Sequence, residues 1–230
     1  MSEEATNGGL NEAPHEFPDR ARATGTAPAP SAPEPPPAAR TVADVPALPG
    51  ALRVGLVSDT HGWLDPALLT HFRGMAAIVH AGDIGNPAVL DALAGVAPVT
   101  AVRGNIDSGR LHDLPAEAIL EVAGRRIAVL HIAGPPRRPN ATARRLVRRE
   151  RPDLLIVGHS HMPVVARIGP DGAPREPGRV LPGETLWINP GAAGNHGFHN
   201  ERTAAVLELP PGDEPPRLMR IRLGSRGRPR

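Results

Sequence analysis

The sequence predicts an α/β fold built around parallel strands, on three observations. Val54, Leu56 and Val57 form a short apolar run that reads as a strand buried on both faces. Four further apolar runs follow, over residues 76–80, 98–103, 126–131 and 153–157, and the stretches between them are long enough for the helical crossovers that parallel strands require. Each run closes on side chains of one chemical kind: Asp59 and His61, then Gly82-Asp83, Gly104-Asn105, His131, and Gly158-His159-Ser160-His161. Ligands bind at the carboxyl ends of strands in open α/β sheets, so the pattern places one site along one edge.

The connecting segments carry their own start and stop signals. Asp65-Pro66 and Asn86-Pro87 each put a capping side chain before a proline at the first helical position. Leu68, Leu69 and Phe72, then Val89, Leu90 and Leu93, follow them at helical spacing. Asn140 caps a third helix, with Leu146 and Val147 facing the sheet and Pro152 marking its end. Residues 107–114 read as an irregular polar loop beside the site, and 169–179 as a Pro/Gly-rich loop. Residues 163–168, 185–189 and 203–209 read as strands, the last two as antiparallel members of a second sheet; residues 217–223 add one more.

Composition bounds the domain. Residues 1–50 hold a Pro/Ala-rich block with no hydrophobic period, which cannot bury enough apolar surface to offset its ordering entropy, and read as a disordered extension. One domain over 51–210 follows, then a basic tail over 211–230. Cysteine is absent, so disulfides and thiolate ligands are excluded. No apolar run reaches the ~18 residues of a membrane span, and the N-terminus lacks the basic-then-apolar order of a signal peptide, so a cytoplasmic protein is expected.

All 26 basic residues are arginine, which reads as compositional bias, and the net charge of +2 gives no strong field. Arg137, Arg138, Arg144, Arg145, Arg148, Arg149 and Arg151 nonetheless crowd one segment. A solvated helix face is the simpler account; a steering patch for anionic substrates or nucleic acid is the sharper one. Tyrosine is absent and aromatics make up 2% of the chain, which argues against a base-stacking platform.

The candidate ligands are Asp59, His61, Asp83, Asn105, His131, His159 and His161. They exceed what one metal needs and match a dinuclear site with a bridging carboxylate. Mixed carboxylate and imidazole donors suit Mn, Fe, Ni or Zn. This ordered set resembles the calcineurin-like metallophosphoesterase superfamily. The compact length and Ile188-Asn189-Pro190-Gly191 resemble its small prokaryotic phosphodiesterase branch.

The resemblance implies a four-layer α/β/β/α sandwich, two packed mixed β-sheets flanked by helices. It implies that Asp59, His61, Asp83 and His161 hold one divalent metal and Asp83, Asn105, His131 and His159 the other, manganese being the first candidate. The implied activity is hydrolysis of a phosphoester, most simply a small-molecule or nucleotide phosphodiester, by a hydroxide shared between the metals. Asp83, Asn105 and His131 would be its metal-held catalytic residues.

Two departures from the family pattern matter. Many members carry a histidine after the Gly-Asn, thought to protonate the leaving group; here that position is Ile106, and the general acid is unassigned. His131-Ile132-Ala133-Gly134 stands where the small branch commonly has His-Gly-His. Arg110, Asn189 and His196 are the candidate substrate contacts, with Arg103 and His199 as further possibilities. His80 is read as structural or as orienting a ligand. The competing functions are a metal-binding scaffold, since one eukaryotic trafficking subunit resembles this fold, and a nuclease.

Overall fold

The computed structural model describes residues 44–45, 50–197, 200–212 and 214–226. Most of the disordered extension expected over residues 1–50, the last residues of the basic tail and His199 lie outside them; within that expected extension Asp44–Val45 form a short strand.

In chain order the first strands are β1 (Asp44–Val45), β2 (Leu52–Val57), β3 (Ala77–His80), β4 (Val99–Ala101), β5 (Glu117–Val122) and β6 (Arg125–Leu130). After them come β7 (Leu154–Val157), β8 (Val164–Ile168), β9 (Pro174–Arg175), β10 (Thr185–Asn189), β11 (Glu201–Leu209) and β12 (Arg217–Ser225). The helices are α1 (Pro66–His71), α2 (Pro87–Ala94) and α3 (Ala141–Glu150). One mixed sheet has the order β12-β11-β2-β3-β4, the other β1-β5-β6-β7-β10-β8-β9.

The side chains of β2 divide between two interiors, as strand alternation requires. Leu52, Val54 and Leu56 enter the core between the sheets, where they meet Leu120, Ile127, Val129, Leu154 and Ile156 of the second sheet. Val57 faces the opposite way, among Leu68, Phe72 and Leu93 of the α1 and α2 layer. Gly55 leaves room for the Phe72 ring, whose atoms would lie 2.8 Å from a Cβ placed there. Across the molecule, Leu146, Val147 and the buried Trp187 make the third cluster, where α3 covers the second sheet. Helix, sheet, sheet and helix therefore lie in four layers, as the resemblance implies. Each fully buried large side chain contributes about 1.5–3 kcal/mol by leaving water.

The three helices start where their caps predict. Asp65 accepts from the Ala67 N–H at 2.9 Å, Asn86 from Ala88 at 2.9 Å and Asn140 from Ala143 at 2.8 Å. On α3, Arg149 is held by Glu117 and Glu150, each at 2.7 Å, and Arg148 Nε donates to the Asp171 carbonyl at 3.0 Å. These arginines are tied to the fold's own acceptors, in keeping with a solvated helix face. Among the described residues no helix is long and apolar enough to cross a membrane.

Two expectations need correction. Residues 185–189 and 203–209 do not share a sheet: β10 runs parallel to β7 in the second sheet, whereas β11 is antiparallel to β2 and β12 in the first. The physical reason is burial of β11 on both faces. Ala205, Leu207 and Leu209 fill the core between the sheets, while Ala204 and Val206 pack toward the α1 and α2 layer. Nor do the ligand-bearing strands form one edge, because β2, β3 and β4 belong to one sheet and β6 and β7 to the other. The site lies where the carboxyl ends of the two sheets meet. The hairpin β5–β6, not anticipated from sequence, turns on Ala123 and Gly124, both at positive φ (52° and 72°) as a two-residue turn demands.

Candidate metal centre

Asp59, His61, Asp83, His159 and His161 each sit just past the end of a strand, and all five take positive φ, from 49° to 69°. Only two other described non-glycine residues do so, Ala123 and Arg151. Such a backbone costs roughly 1–3 kcal/mol per residue and persists only where its surroundings impose it. Its effect is to turn each ligand-type side chain out of its strand direction toward a common point. The fold holds this strain at its site.

Two donor groups result. In each, Asp59, His61 and His161 in one and Asp83, His131 and His159 in the other, the ligand atoms lie within 4.8 Å of one another. In the first, Nε2 of His61 and Nε2 of His161 are 3.1 Å apart, and His161 Nε2 is 3.2 Å from Asp59 Oδ1. In the second, His131 Nε2 lies 3.1 Å from Asp83 Oδ1 and 3.2 Å from Asn105 Oδ1, which brings Asn105 into the group. The His131 and His159 rings meet edge-on with centroids 5.3 Å apart. Lone-pair nitrogens and carboxylate oxygens aimed at one another, with no cationic side chain among them, fit divalent cations of the Mn to Zn series. All seven predicted ligands thus come together.

Supporting contacts fix each ligand. The Asp59 carboxylate, fully buried, accepts from Ser58 Oγ at 2.5 Å and from the His159 N–H at 3.1 and 3.2 Å. His131 donates Nδ1–H to the Ala81 carbonyl at 2.7 Å, which turns Nε2 toward the site, as a lone pair when the ring is neutral and as a donor to Asp83 when it is protonated. Asp83 Oδ1 also accepts from the Ile106 N–H at 3.1 Å. Gly104 and Gly158 are required for close approach: a Cβ on Gly104 would collide with Asp83 Oδ1 and backbone, and one on Gly158 with Ser58 Oγ and the Ala81 carbonyl.

The charges follow from these contacts. Burial pushes the Asp83 carboxyl up, but the His131 hydrogen bond and charge, the Ile106 N–H and His61 together hold it below the ordinary value. Burial lowers His131, and hydrogen bonding to Asp83 with the charges of Asp59 and Asp83 raises it overall. His61 ends below its ordinary value, burial outweighing Asp59 and Asp83, so its lone pair is available at neutral pH.

The remaining predicted residues are placed as follows. Asn189 is buried, donating Nδ2 to the Gly158 carbonyl at 2.8 Å and to Ser160 Oγ at 3.1 Å, and accepting from the Gly191 N–H at 2.8 Å. It braces the His159–His161 turn. His196 is exposed, its ring 6.3 Å from that of His61. Arg110 is exposed on a 3-10 turn, Gly109–Leu111. Arg103 donates to the Leu114 carbonyl at 2.8 Å and serves the loop itself. His80 is fully buried, with Nε2 3.0 Å from Thr60 Oγ1; that hydroxyl in turn donates to the Ile84 carbonyl at 3.0 Å. Ile106 is 43% exposed.

Sequence reasoning missed two residues. Asp107 is buried and accepts from the Gly104 N–H at 2.7 Å and the Gly85 N–H at 2.8 Å, locking two ligand loops together. The spacing Gly-Asn-x-Asp was its one visible signal. Arg226, beyond the last strand, has its guanidinium within Coulomb reach of Asp59, and nothing local in the sequence marks it.

Comparison with known proteins is consistent with this geometry. Residues 52–211 match the family described as Calcineurin-like phosphoesterase superfamily domain. A protein of Methanocaldococcus jannaschii named as a probable metallophosphoesterase is 35% identical over 124 residues, covering 51% of this chain and 63% of its own length. Another so named, from Methanothermobacter thermautotrophicus, is 32% identical over 120 residues, covering 50% of this chain and 70% of its own. The chain thus spans a little under two thirds of the first relative. Among solved structures, Vps29 of Entamoeba histolytica superposes with a TM-score of 0.53 at 17% identity, over 74% of this chain and 99% of that one. Vps29 of Chaetomium thermophilum gives 0.54 at 14%, over 76% and 100%. At such identities the likeness is one of fold.

Proposed function

The chain belongs to the calcineurin-like phosphoesterase superfamily, and from that membership we propose that it is a metal-dependent phosphodiesterase working at the two donor groups. The observation that supports this most is their convergence at strand ends on strained backbone, a cost with no structural return unless the side chains bind something. Asp59, His61, His161 and Asp83 would hold one divalent cation. Asp83, Asn105, His131 and His159 would hold the other, with Asp83 between. Manganese is the first candidate and iron, nickel or zinc the alternatives. Bound there, the cations would polarise the phosphoryl oxygens and bring the pKa of water toward ~7, so that it attacks at neutral pH.

The protein's own groups orient the reaction. Asp83, ionised and fixed by the Ile106 N–H, sits beside His131, whose tautomer the Ala81 carbonyl sets. Asn105 turns Oδ1 toward His131 and keeps Nδ2 as a donor for a phosphoryl oxygen, where charge grows in the transition state. We assign substrate contact to His196 and Arg110 and a positioning role to Asn189. With Ile106 in place of an acid, the leaving group departs without a proton from that position.

The test is hydrolysis of bis-aryl phosphodiesters by metal-stripped protein, with and without added Mn, beside His161→Ala. Turnover that needs metal and vanishes in the variant is the expected result; no turnover with Mn, Fe, Ni or Zn overturns the proposal. Across a series of aryl esters the rate should fall as leaving-group pKa rises. A flat dependence contradicts the missing acid at position 106.

A further inference from the structure

Seven arginines, from Arg137 to Arg151, stand in a segment that holds one acid, Glu150. The segment is net +6 in a chain of net +2, so the rest of the protein is net −4. Compositional bias accounts for arginine in place of lysine but not for this concentration. The segment begins beside the candidate metal centre. Asn140 closes the loop after His131, donating its N–H to the Ala133 carbonyl and Nδ2 to the Ile132 carbonyl, each at 2.9 Å. Arg137 and Arg138 lie in that loop, and α3 carries the others onward.

Packing of α3 gives the arginines one face. Ala143, Leu146, Val147 and Glu150 are buried, and Arg144, Arg145 and Arg148 lie on the opposite side. Arg149 is bound by Glu117 and Glu150, whereas Arg148 uses only Nε, on the Asp171 carbonyl. The Asp171 carboxylate is taken by Arg175 at 2.9 Å. Arg137, Arg138, Arg144, Arg145 and Arg151 are exposed, and their guanidinium groups meet no acceptor among the described residues. This arrangement works against the helix. Arg144 with Arg148, and Arg145 with Arg149, set like charges one turn apart. Arginines of the last turn complement the helix dipole; Arg144 and Arg145 precede it. Uncompensated charge of one sign, gathered on one side, is complementary to a polyanion.

Other features select among polyanions. No exposed large hydrophobic side chain lies between residues 137 and 151, so the face has nothing to insert into a lipid surface or to anchor an acidic protein. Nor does the segment hold an aromatic residue on which a single strand could stack its bases. A double helix needs only contacts to its phosphates. α3 is about 15 Å long, a distance over which a duplex presents about nine phosphate charges.

We propose that Arg137, Arg138, Arg144, Arg145 and Arg148 form a binding surface for the phosphate backbone of double-helical nucleic acid, without regard to base sequence. The surface needs neither metal nor turnover, so it stands or falls apart from the phosphodiesterase reading.

The full chain, kept in chelator, is titrated by fluorescence anisotropy against a labelled DNA duplex of about 20 base pairs, at salt from about 50 to 200 mM. Affinity should fall linearly with salt on logarithmic axes, with a slope set by the number of phosphates met. Arg144→Gln with Arg145→Gln should lower that slope by about 2 and weaken binding at least tenfold at the lowest salt. Arg217→Gln with Arg220→Gln removes the same charge from exposed positions of β12, in the other sheet, and should leave the slope unchanged. The urea midpoint of the Arg144/Arg145 variant should be no lower than that of wild type, since the substitutions relieve a like-charge repulsion. Should that variant lose stability, Arg137→Gln with Arg138→Gln repeats the test off the helix. No binding of the duplex at about 50 mM salt, or equal slopes in wild type and the arginine variants, overturns the proposal. So does tighter binding to the same DNA as a single strand, to poly-glutamate or to phosphatidylserine vesicles, each of which would assign the surface to another partner.

Discussion

His80 links the candidate metal centre to acid stability, and its contribution follows from the structure. The side chain is fully buried three residues before Asp83, and it holds Thr60, the residue between Asp59 and His61. Burial takes its pKa from the ordinary 6.5 down to about 4, against the opposing charges of Asp59 and Asp107. The folded protein therefore binds this proton less readily than the unfolded chain. The stabilisation is complete above pH 6.5 and is lost as pH falls toward 4. At about 1.4 kcal/mol for each pH unit between the two values, the loss is about 2 kcal/mol at pH 5 and about 3 kcal/mol at pH 4. Replacing His80 by glutamine keeps a nitrogen donor for Thr60 and removes the titration. Urea unfolding of chelator-treated protein at pH 7.5 and pH 5 gives the comparison. Wild type should lose about 2 kcal/mol more than His80→Gln between these conditions. Parallel losses would refute the reasoning, and so would a wild type that gains stability on acidification relative to the variant.

Two further substitutions probe the scaffolding of the site. Gly104→Ala puts a methyl against the Asp83 backbone, which cannot retreat like a side-chain tip, so it should destabilise by about 1–3 kcal/mol. It should also displace Asp83 enough to weaken metal binding, as chelator competition would show; wild-type metal affinity would deny the close approach its role. Asn189→Ala leaves the Gly158 carbonyl and Gly191 N–H without their partner. Metal affinity should fall about 10–100-fold, the usual effect of removing a residue that orients a ligand. If the loss appeared only in KM for substrate, Asn189 would be a substrate contact.

Legibility from sequence followed the range of each signal. Asp59-Thr60-His61 and Gly158-His159-Ser160-His161 announce themselves locally, because strand and ligand are adjacent in the chain. The caps Asp65, Asn86 and Asn140 act within three residues and were equally plain. Sheet membership was not legible, since β2 and β6 are both short, apolar and buried while their partners are chosen by contacts far along the chain. The β5–β6 turn lacks the Asn-Gly signal of a tight hairpin and uses Ala123-Gly124 instead. Arg226 meets His161 only because β11 and β12 bring the chain back beside the glycine-rich loop.

The central claim is that two neighbouring donor groups hold two divalent cations with Asp83 between them. Elemental analysis of the chain after reconstitution with Mn tests it most directly, beside Asp83→Asn. The account predicts two equivalents of metal in the wild type and a loss from both positions in the variant, because one carboxylate would serve both. A wild type that retains no metal, or a variant that still holds two equivalents, would contradict it.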